Sequence, residues 1–328
     1  MQSSFNKYKT PLLKRLQQIN LLLIVPVGFL FFISCGNYFK NDYKDNSPTS
    51  GKLRLYYDEG LSLHAKNQVF TFESQYTEAH VDMVESNENA AIEALYKDSC
   101  EAIMISRLLN DKEKKAFESK QFFPKYSAVA KSGVAIITNI QTPLNGLSRD
   151  EIIQILLSDG SLKDSLNQAI KIRALLDRNN SSVIHYLMDS VLKAAKFSGT
   201  CSVLKSSAEA INFVAQNKNT VAFIDFAWLS DVDDSITKAN SGKIKFIGIK
   251  DKDGKTLQFP SQSSFKLGTY PFGTTVYVIR KTGDFTLAKG FESFVAGPKG
   301  QLTFLKQGLL PARQAERLIE VKFEPMQQ

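Results

Sequence analysis

From Lys52 onward the chain repeats one pattern: a short apolar run, a polar turn, then a segment whose apolar residues recur every three or four positions. Strands alternating with helices point to an α/β sheet protein. The expected strands cover 52–57, 81–84, 102–105, 128–138, 172–176, 221–226, 244–249 and 274–279. The expected helices cover 68–76, 87–97, 111–117, 152–157, 182–193, 210–216, 285–295 and 299–306. Cap signals punctuate them. Ser86 precedes 87–97, Ser148 with Glu151 forms a capping box, Ser181 or Ser182 starts 182–193, and Ser206 with Glu209 forms a second box. The run 128–138 is long enough to cross between two lobes.

The N-terminus carries an address. Residues 1–20 are polar and basic, and 21–33 (LLLIVPVGFLFFI) is an uncharged apolar run of 13 residues. That is shorter than the roughly 20 residues a membrane-spanning helix needs. Basic region, short apolar run and small residue form the pattern of a secretory signal peptide. The run ends Phe32-Ile33-Ser34-Cys35-Gly36. This resembles a bacterial lipobox, with Phe32 where Leu is usual, and implies lipidation of Cys35. Residues 1–34 are then the signal peptide and 35–51 a solvated tether. The formal charge of +8 includes Lys7, Lys9, Lys14 and Arg15 in those first 34 residues, which hold no acid. The remaining 294 residues therefore carry only +4, without the Lys/Arg stripes of a nucleic-acid binder.

Enzyme chemistry has no foothold. His64, His80 and His185 lack metal-ligand spacing, and no Walker loop, GxGxxG or GxSxG occurs. Three cysteines make no disulfide framework, and Cys100 and Cys201 read as inert thiols. No catalytic residue, metal or cofactor is expected. The informative feature is a set of polar segments after strands: Asp58-Glu59-Gly60-Leu61-Ser62, Ser86-Asn87-Glu88-Asn89 and Asp177-Arg178-Asn179-Asn180-Ser181-Ser182. Ligands of open α/β sheets gather at the carboxyl ends of strands. Helix starts there offer unpaired N–H groups that suit anions. Each serine taken alone reads first as a cap; the set points to a polar or anionic ligand.

Five stretches carry a family resemblance: 102–118 (AIMISRLLNDKEKKAFE), 133–156 (GVAIITNIQTPLNGLSRDEIIQIL), 175–190 (LLDRNNSSVIHYLMDS), 268–280 (GTYPFGTTVYVIR) and 291–311 (FESFVAGPKGQLTFLKQGLLP). In this order they resemble the phosphate-binding solute receptor of the phosphate ABC transporter, in the lipoprotein form common among Bacteroidetes, over residues 52–315. The resemblance implies an α/β, two-lobed type II periplasmic-binding-protein fold with a hinge of crossing strands and an interlobe ligand cleft. One lobe would hold 52–133 and 268–328, the other 134–267. Carried over by position, the ligand-binding residues would be Glu59, Gly60, Leu61, Ser86, Ser106, Arg107, Asn180, Ser181 and Ser182. Arg107 would supply charge, and hydroxyls and N–H groups the hydrogen bonds.

The implied partners are inorganic phosphate or a similar oxyanion, an ABC permease, and the membrane through the anchor, with no nucleic acid. The implied state is a monomer facing the periplasm. Three positions depart from the family: Arg107 stands where enteric-type relatives have Asp, Val183 where they have Thr, and the Arg usual after Tyr-Pro is missing at 272–274. Glu59 and Glu88 near the pocket would repel an anion unless Arg107 or Arg178 offsets them. An interaction lipoprotein that keeps the fold and has changed or lost its ligand is the alternative.

Overall fold

The computed structural model describes residues 46–313 apart from Asp164, Ser165, Ala194, Ala195, Lys252 and Thr282. The signal peptide, Cys35 and most of the tether lie outside the described residues. Among the described residues no helix is long and apolar enough to cross a membrane.

The first half of the chain runs β1 (Gly51–Asp58), a 3-10 turn (Glu59–Leu61), α1 (Ser62–Gln75), β2 (Ala79–Ser86), α2 (Glu88–Tyr96), β3 (Ala102–Ile105), α3 (Asp111–Ser119) and β4 (Lys125–Asn139). Then follow α4 (Arg149–Leu157), β5 (Arg173–Leu176), α5 (Ser182–Tyr186), α6 (Ser207–Gln216) and β6 (Thr220–Asp225). The chain returns through β7 (Gly273–Arg280), α7 (Leu287–Val295) and α8 (Pro298–Lys306). One sheet joins them in the order β2-β1-β3-β7-β4-β6-β5, with Ser202–Val203 at its far edge.

β4 is the element that ties the sheet together. Its first part, Lys125 to Gly133, pairs antiparallel with β7. Its second part, Val134 to Thr138, pairs antiparallel with β6. The exchange of partners falls at Gly133, where an added Cβ would lie 2.7 Å from the Phe272 carbonyl oxygen and 3.0 Å from the Phe265 ring. Glycine is required there because two backbones approach where the strand changes sides. β1 lies between β2 and β3, parallel to both, so one half-sheet is β2-β1-β3-β7 and the other is β6-β5 with Ser202–Val203. A continuous apolar core runs under both, from Leu53, Leu55 and Phe72 to Ile136, Leu175, Ile211 and Phe223. A second cluster under α2 and α3 holds Ile92, Leu95, Cys100, Ile103 and Phe117. Cys100 and Cys201 are both free thiols.

Local chemistry places most boundaries near where the sequence reading put them, with the following differences, besides short helices at Ala227–Ser230, Ser235–Asn240 and Gln262–Leu267 that it did not give. The cap of α2 is Asn87, whose side chain accepts from the Ala90 N–H, and not Ser86, which closes β2. α1 begins at Ser62, six residues before the expected 68. The expected strand 244–249 is two pieces, because Ile244–Phe246 pairs with β4 while Gly248–Lys250 pairs with Gly146–Leu147. The helix begun by α5 widens into a π-helical turn over Leu187–Leu192 and ends at Lys193 in the left-handed conformation.

Candidate functional site

Three strands close on an aspartate: β1 on Asp58, β6 on Asp225, and β5 is followed directly by Asp177. Each apolar strand therefore delivers a carboxylate to the seam between the half-sheets, at the strand carboxyl ends where α/β ligands gather. All three are buried, Asp177 completely and Asp58 and Asp225 to within 2%. Burying a carboxylate costs several kcal/mol unless hydrogen bonds replace water. Serines from across the seam supply them to Asp58 and Asp225, and a neighbouring serine supplies one to Asp177.

Asp58 Oδ2 accepts from the Ser182 hydroxyl at 2.6 Å and from its N–H at 3.3 Å. Ser182 is the first residue of α5, so the carboxylate sits against a helix start. The next residue repeats the device. Glu59 Oε1 accepts from the Ser207 N–H at 3.0 Å and Oε2 from its hydroxyl at 2.8 Å, at the first residue of α6. The Trp228 indole N–H donates to the Glu59 carbonyl oxygen at 3.1 Å and fixes that turn. Asp225 accepts from the Ser132 hydroxyl at 2.5 Å, the Ala227 N–H at 2.9 Å and the Ser106 hydroxyl at 3.4 Å. Asp177 accepts from the Ser181 hydroxyl at 2.6 Å, while the same Ser181 oxygen caps α5 through the Ile184 N–H. Gly60 lets the half-sheets meet: a Cβ there would press on the Asp225 Cβ at 3.1 Å.

The charged groups form a second layer. Glu88 Oε1 takes both the Arg107 Nε at 2.5 Å and the His185 Nδ1 at 2.8 Å, so α2, the end of β3 and α5 are joined at one buried oxygen. Arg107 also holds Glu113 at 2.8 Å. Arg178 stands 3.9 Å from Glu85.

These surroundings set the protonation states. Burial pushes the Asp58 carboxyl up to about 7, with Glu88 and Asp225 adding to it and the Ser182 bonds opposing. Burial likewise raises Asp225 to about 6 against the Ser132, Ala227 and Ser106 donors. Asp177 is raised well above the ordinary carboxylate range by burial and by its acidic neighbours, with Ser181 opposing. Glu59 is raised by burial despite Ser207. Burial acts on Glu88 too, but the His185 hydrogen bond and the Arg107 charge outweigh it and hold it below the usual value.

Of the residues singled out in the sequence, Glu59, Gly60, Ser106, Arg107, Ser181 and Ser182 meet along this seam. Leu61 is fully buried in the apolar core. Ser86 is buried, its hydroxyl bonded to the Tyr57 and Asn87 carbonyl oxygens. Asn180 takes a positive φ of 57° in the turn before α5. The expected offset of Glu88 by Arg107 is present as a direct ion pair, which leaves that guanidinium bound to two glutamates. Sequence reasoning missed Ser132, Ser207 and Asp225. The available signal was an acid closing an apolar strand, present three times in the chain. Among the described residues no group of three or more His, Cys, Asp and Glu is arranged to hold a metal ion.

A family model described as "PBP superfamily domain" matches residues 56–299. The chain belongs to the PBP superfamily. Its architecture is the type II periplasmic-binding-protein fold expected from the sequence. A curated relative, "Phosphate-binding protein PstS" of Staphylococcus haemolyticus, is 24% identical over 208 residues, covering 60% of this chain and 61% of the relative. The chain thus spans about three fifths of that relative's length. A solved protein of Clostridium perfringens, described as a phosphate ABC transporter substrate-binding protein with bound phosphate, superposes with a TM-score of 0.66 at 17% identity. The match covers 80% of this superfamily member and 100% of the other chain. An ABC-type phosphate transport receptor of Vibrio cholerae superposes with a TM-score of 0.60, also at 17% identity, over 80% and 100% of the two chains. At these identities the two solved structures speak for the fold.

Proposed function

We propose that the chain is the solute receptor of an ABC transporter, taking phosphate or a related oxyanion between two lobes and handing it to a permease. The lobes are 52–133 with 268–328, and 134–267, with β4 as a crossing strand in the hinge. The receptor performs no chemistry of its own. It acts as a monomer, and lipid on Cys35 holds it to the membrane on the periplasmic side. The multiple acyl chains of a lipoprotein would make that anchor firm, at about 0.8 kcal/mol per buried CH₂.

The observation that carries this reading is the donor set of the seam. Ser182 and Ser207 each offer a hydroxyl and a backbone N–H at a helix start, and Ser132 and Ser106 add hydroxyls. All of them hold carboxylates, whose oxygens present the same acceptor chemistry as an oxyanion. The names of the relatives point to phosphate as the first ligand to try.

A second reading, an interaction lipoprotein with a changed or lost ligand, is favoured by one observation. The donors are already taken by Asp58, Glu59 and Asp225, and the Arg107 guanidinium is held by Glu88 and Glu113. Titration calorimetry of the full chain in mild detergent with phosphate and with sulfate separates the two. Saturable heat with either anion supports the receptor. No heat with these or any other oxyanion leaves the interaction protein.

A further inference from the structure

Two adjacent residues of one half of the molecule sit as ligands in the other. We propose that Asp58 and Glu59 are built-in ligands that hold the seam shut without a solute, and that an oxyanion enters by displacing Asp58 from Ser182. The closure part stands on the geometry alone; the displacement part rests on the receptor reading above.

The geometry resembles anion binding in each detail except that the anion is tethered. Each carboxylate meets a hydroxyl and an N–H of a serine at the first turn of a helix. The two are consecutive in the chain. β1 fixes one and the Trp228 bond to the Glu59 carbonyl oxygen fixes the turn that carries both. A ligand held this way has a high effective concentration and loses little freedom on binding. The closure is reinforced by Glu88 on His185 and by Ser106 and Ser132 on Asp225.

The two carboxylates are not equally held, and the difference names the one that yields. Glu59 uses both oxygens, one on each Ser207 donor. Asp58 uses a single oxygen for both Ser182 donors, and its other oxygen, Oδ1, is buried with no hydrogen-bond partner. Asp58 also faces the repulsion of Glu88 and Asp225. A buried oxygen without a partner is costly, so Asp58 is the ligand that a better-satisfied anion replaces. A tetrahedral oxyanion at Ser182 would have acceptor oxygens for both donors there. The displaced Asp58 side chain would recover water.

The test uses the full chain in mild detergent and has two readouts. Amide hydrogen exchange in peptides holding Ser182 and Ser207 reads closure of the ligand-free protein. Calorimetry with inorganic phosphate reads displacement. In the Asp58→Ala, Glu59→Ala double variant both amides should exchange at least about 10-fold faster than in the wild type, the effect of losing one charge-assisted bond. Asp58→Ala alone should bind phosphate roughly 10-fold tighter or more, because its competitor is gone. Unchanged exchange in the double variant overturns the inference whatever binds. Faster exchange with no gain in phosphate affinity over a wild type that does bind overturns the displacement and leaves the receptor reading intact. Faster exchange with no heat from any oxyanion in either protein keeps the built-in closure and removes the receptor. If the double variant does not fold, Ser182→Ala with Ser207→Ala removes the hydroxyl donors from the opposite side, and the same acceleration is expected.

Discussion

Replacing Asp58 by Asn should flatten the dependence of stability on pH. In the folded protein burial lifts the Asp58 carboxyl from 3.8 to about 7. A raised value means the folded state binds the proton more tightly than the unfolded chain does. The stabilisation is therefore fully present below pH ~4 and is lost as pH rises through about 7. Roughly three units at about 1.36 kcal/mol each give about 4 kcal/mol over the whole window. Between about pH 5 and about pH 8, linkage through these two values gives a loss of roughly 2.5–3 kcal/mol. An asparagine side chain carries no proton to lose, and its amide oxygen still accepts from Ser182. The variant should be more stable than the wild type at about pH 8 and should lose less between the two pH values. Asp225 and Asp177, also raised, add to the loss, while His64, which burial pushes down to about 4, gains stability as pH rises and opposes it, so the difference between variant and wild type is the quantity that reports Asp58. Urea unfolding at the two pH values and fixed ionic strength measures the difference. An Asp58→Asn variant with the full wild-type slope would refute the argument that burial of Asp58 controls its proton.

Arg280 and Glu292 form a buried pair at 2.6 Å, with side chains 3% and 4% exposed, so Arg280→Met should cost about 3 kcal/mol by leaving Glu292 to Lys289 and Ser127 alone. Urea unfolding checks it, and a cost below about 1 kcal/mol would show the pair to be replaceable by packing. Radiolabelled palmitate should enter the wild type and not Cys35→Ala; equal labelling of the two would remove the anchor.

The alternation of strands and helices was legible because the strands are apolar and five of the helices, α2 to α6, carry Ser or Asn caps, both local signals. The start of α1 was not, for a tertiary reason. Ser62, His64 and Gln68 are polar yet buried on its inner face, so the apolar period begins late. Their partners lie far along the chain: His64 Nε2 is 2.9 Å from the Ser230 hydroxyl, and Gln68 donates to the Gly300 carbonyl oxygen at 2.8 Å. The break at Ile247 has the same origin, since its N–H bonds to Ile136 while its neighbours pair with two different sheets. The loops of the seam were found from their serines, and the hydroxyls were read as donors awaiting a solute. Sequence spacing does not tell that Asp58 and Ser182, 124 residues apart, are 2.6 Å from each other.

That pairing ties closure and affinity into one equilibrium. A solute meets the Ser182 donors only in the fraction of molecules whose Asp58 has let go, so its apparent dissociation constant is the intrinsic one divided by that fraction. The same carboxylate is the one whose proton is held up to about 7, and a protonated Asp58 is a weaker acceptor for Ser182 than an ionised one. Protonation near neutral pH therefore weakens the built-in ligand at Ser182 while it relieves the repulsion from Glu88 and Asp225 that opposes folding. The two effects separate experimentally. Lowering pH from about 8 to about 6 should raise the unfolding free energy and, in a wild type that binds phosphate, should also tighten phosphate. In Asp58→Asn the phosphate affinity should lose that dependence, apart from the part carried by the ligand's own proton, which sulfate, lacking one, would not show. An Asp58→Asn variant whose affinity still follows pH as the wild type does would place the competition elsewhere in the seam, at Asp225 or Asp177.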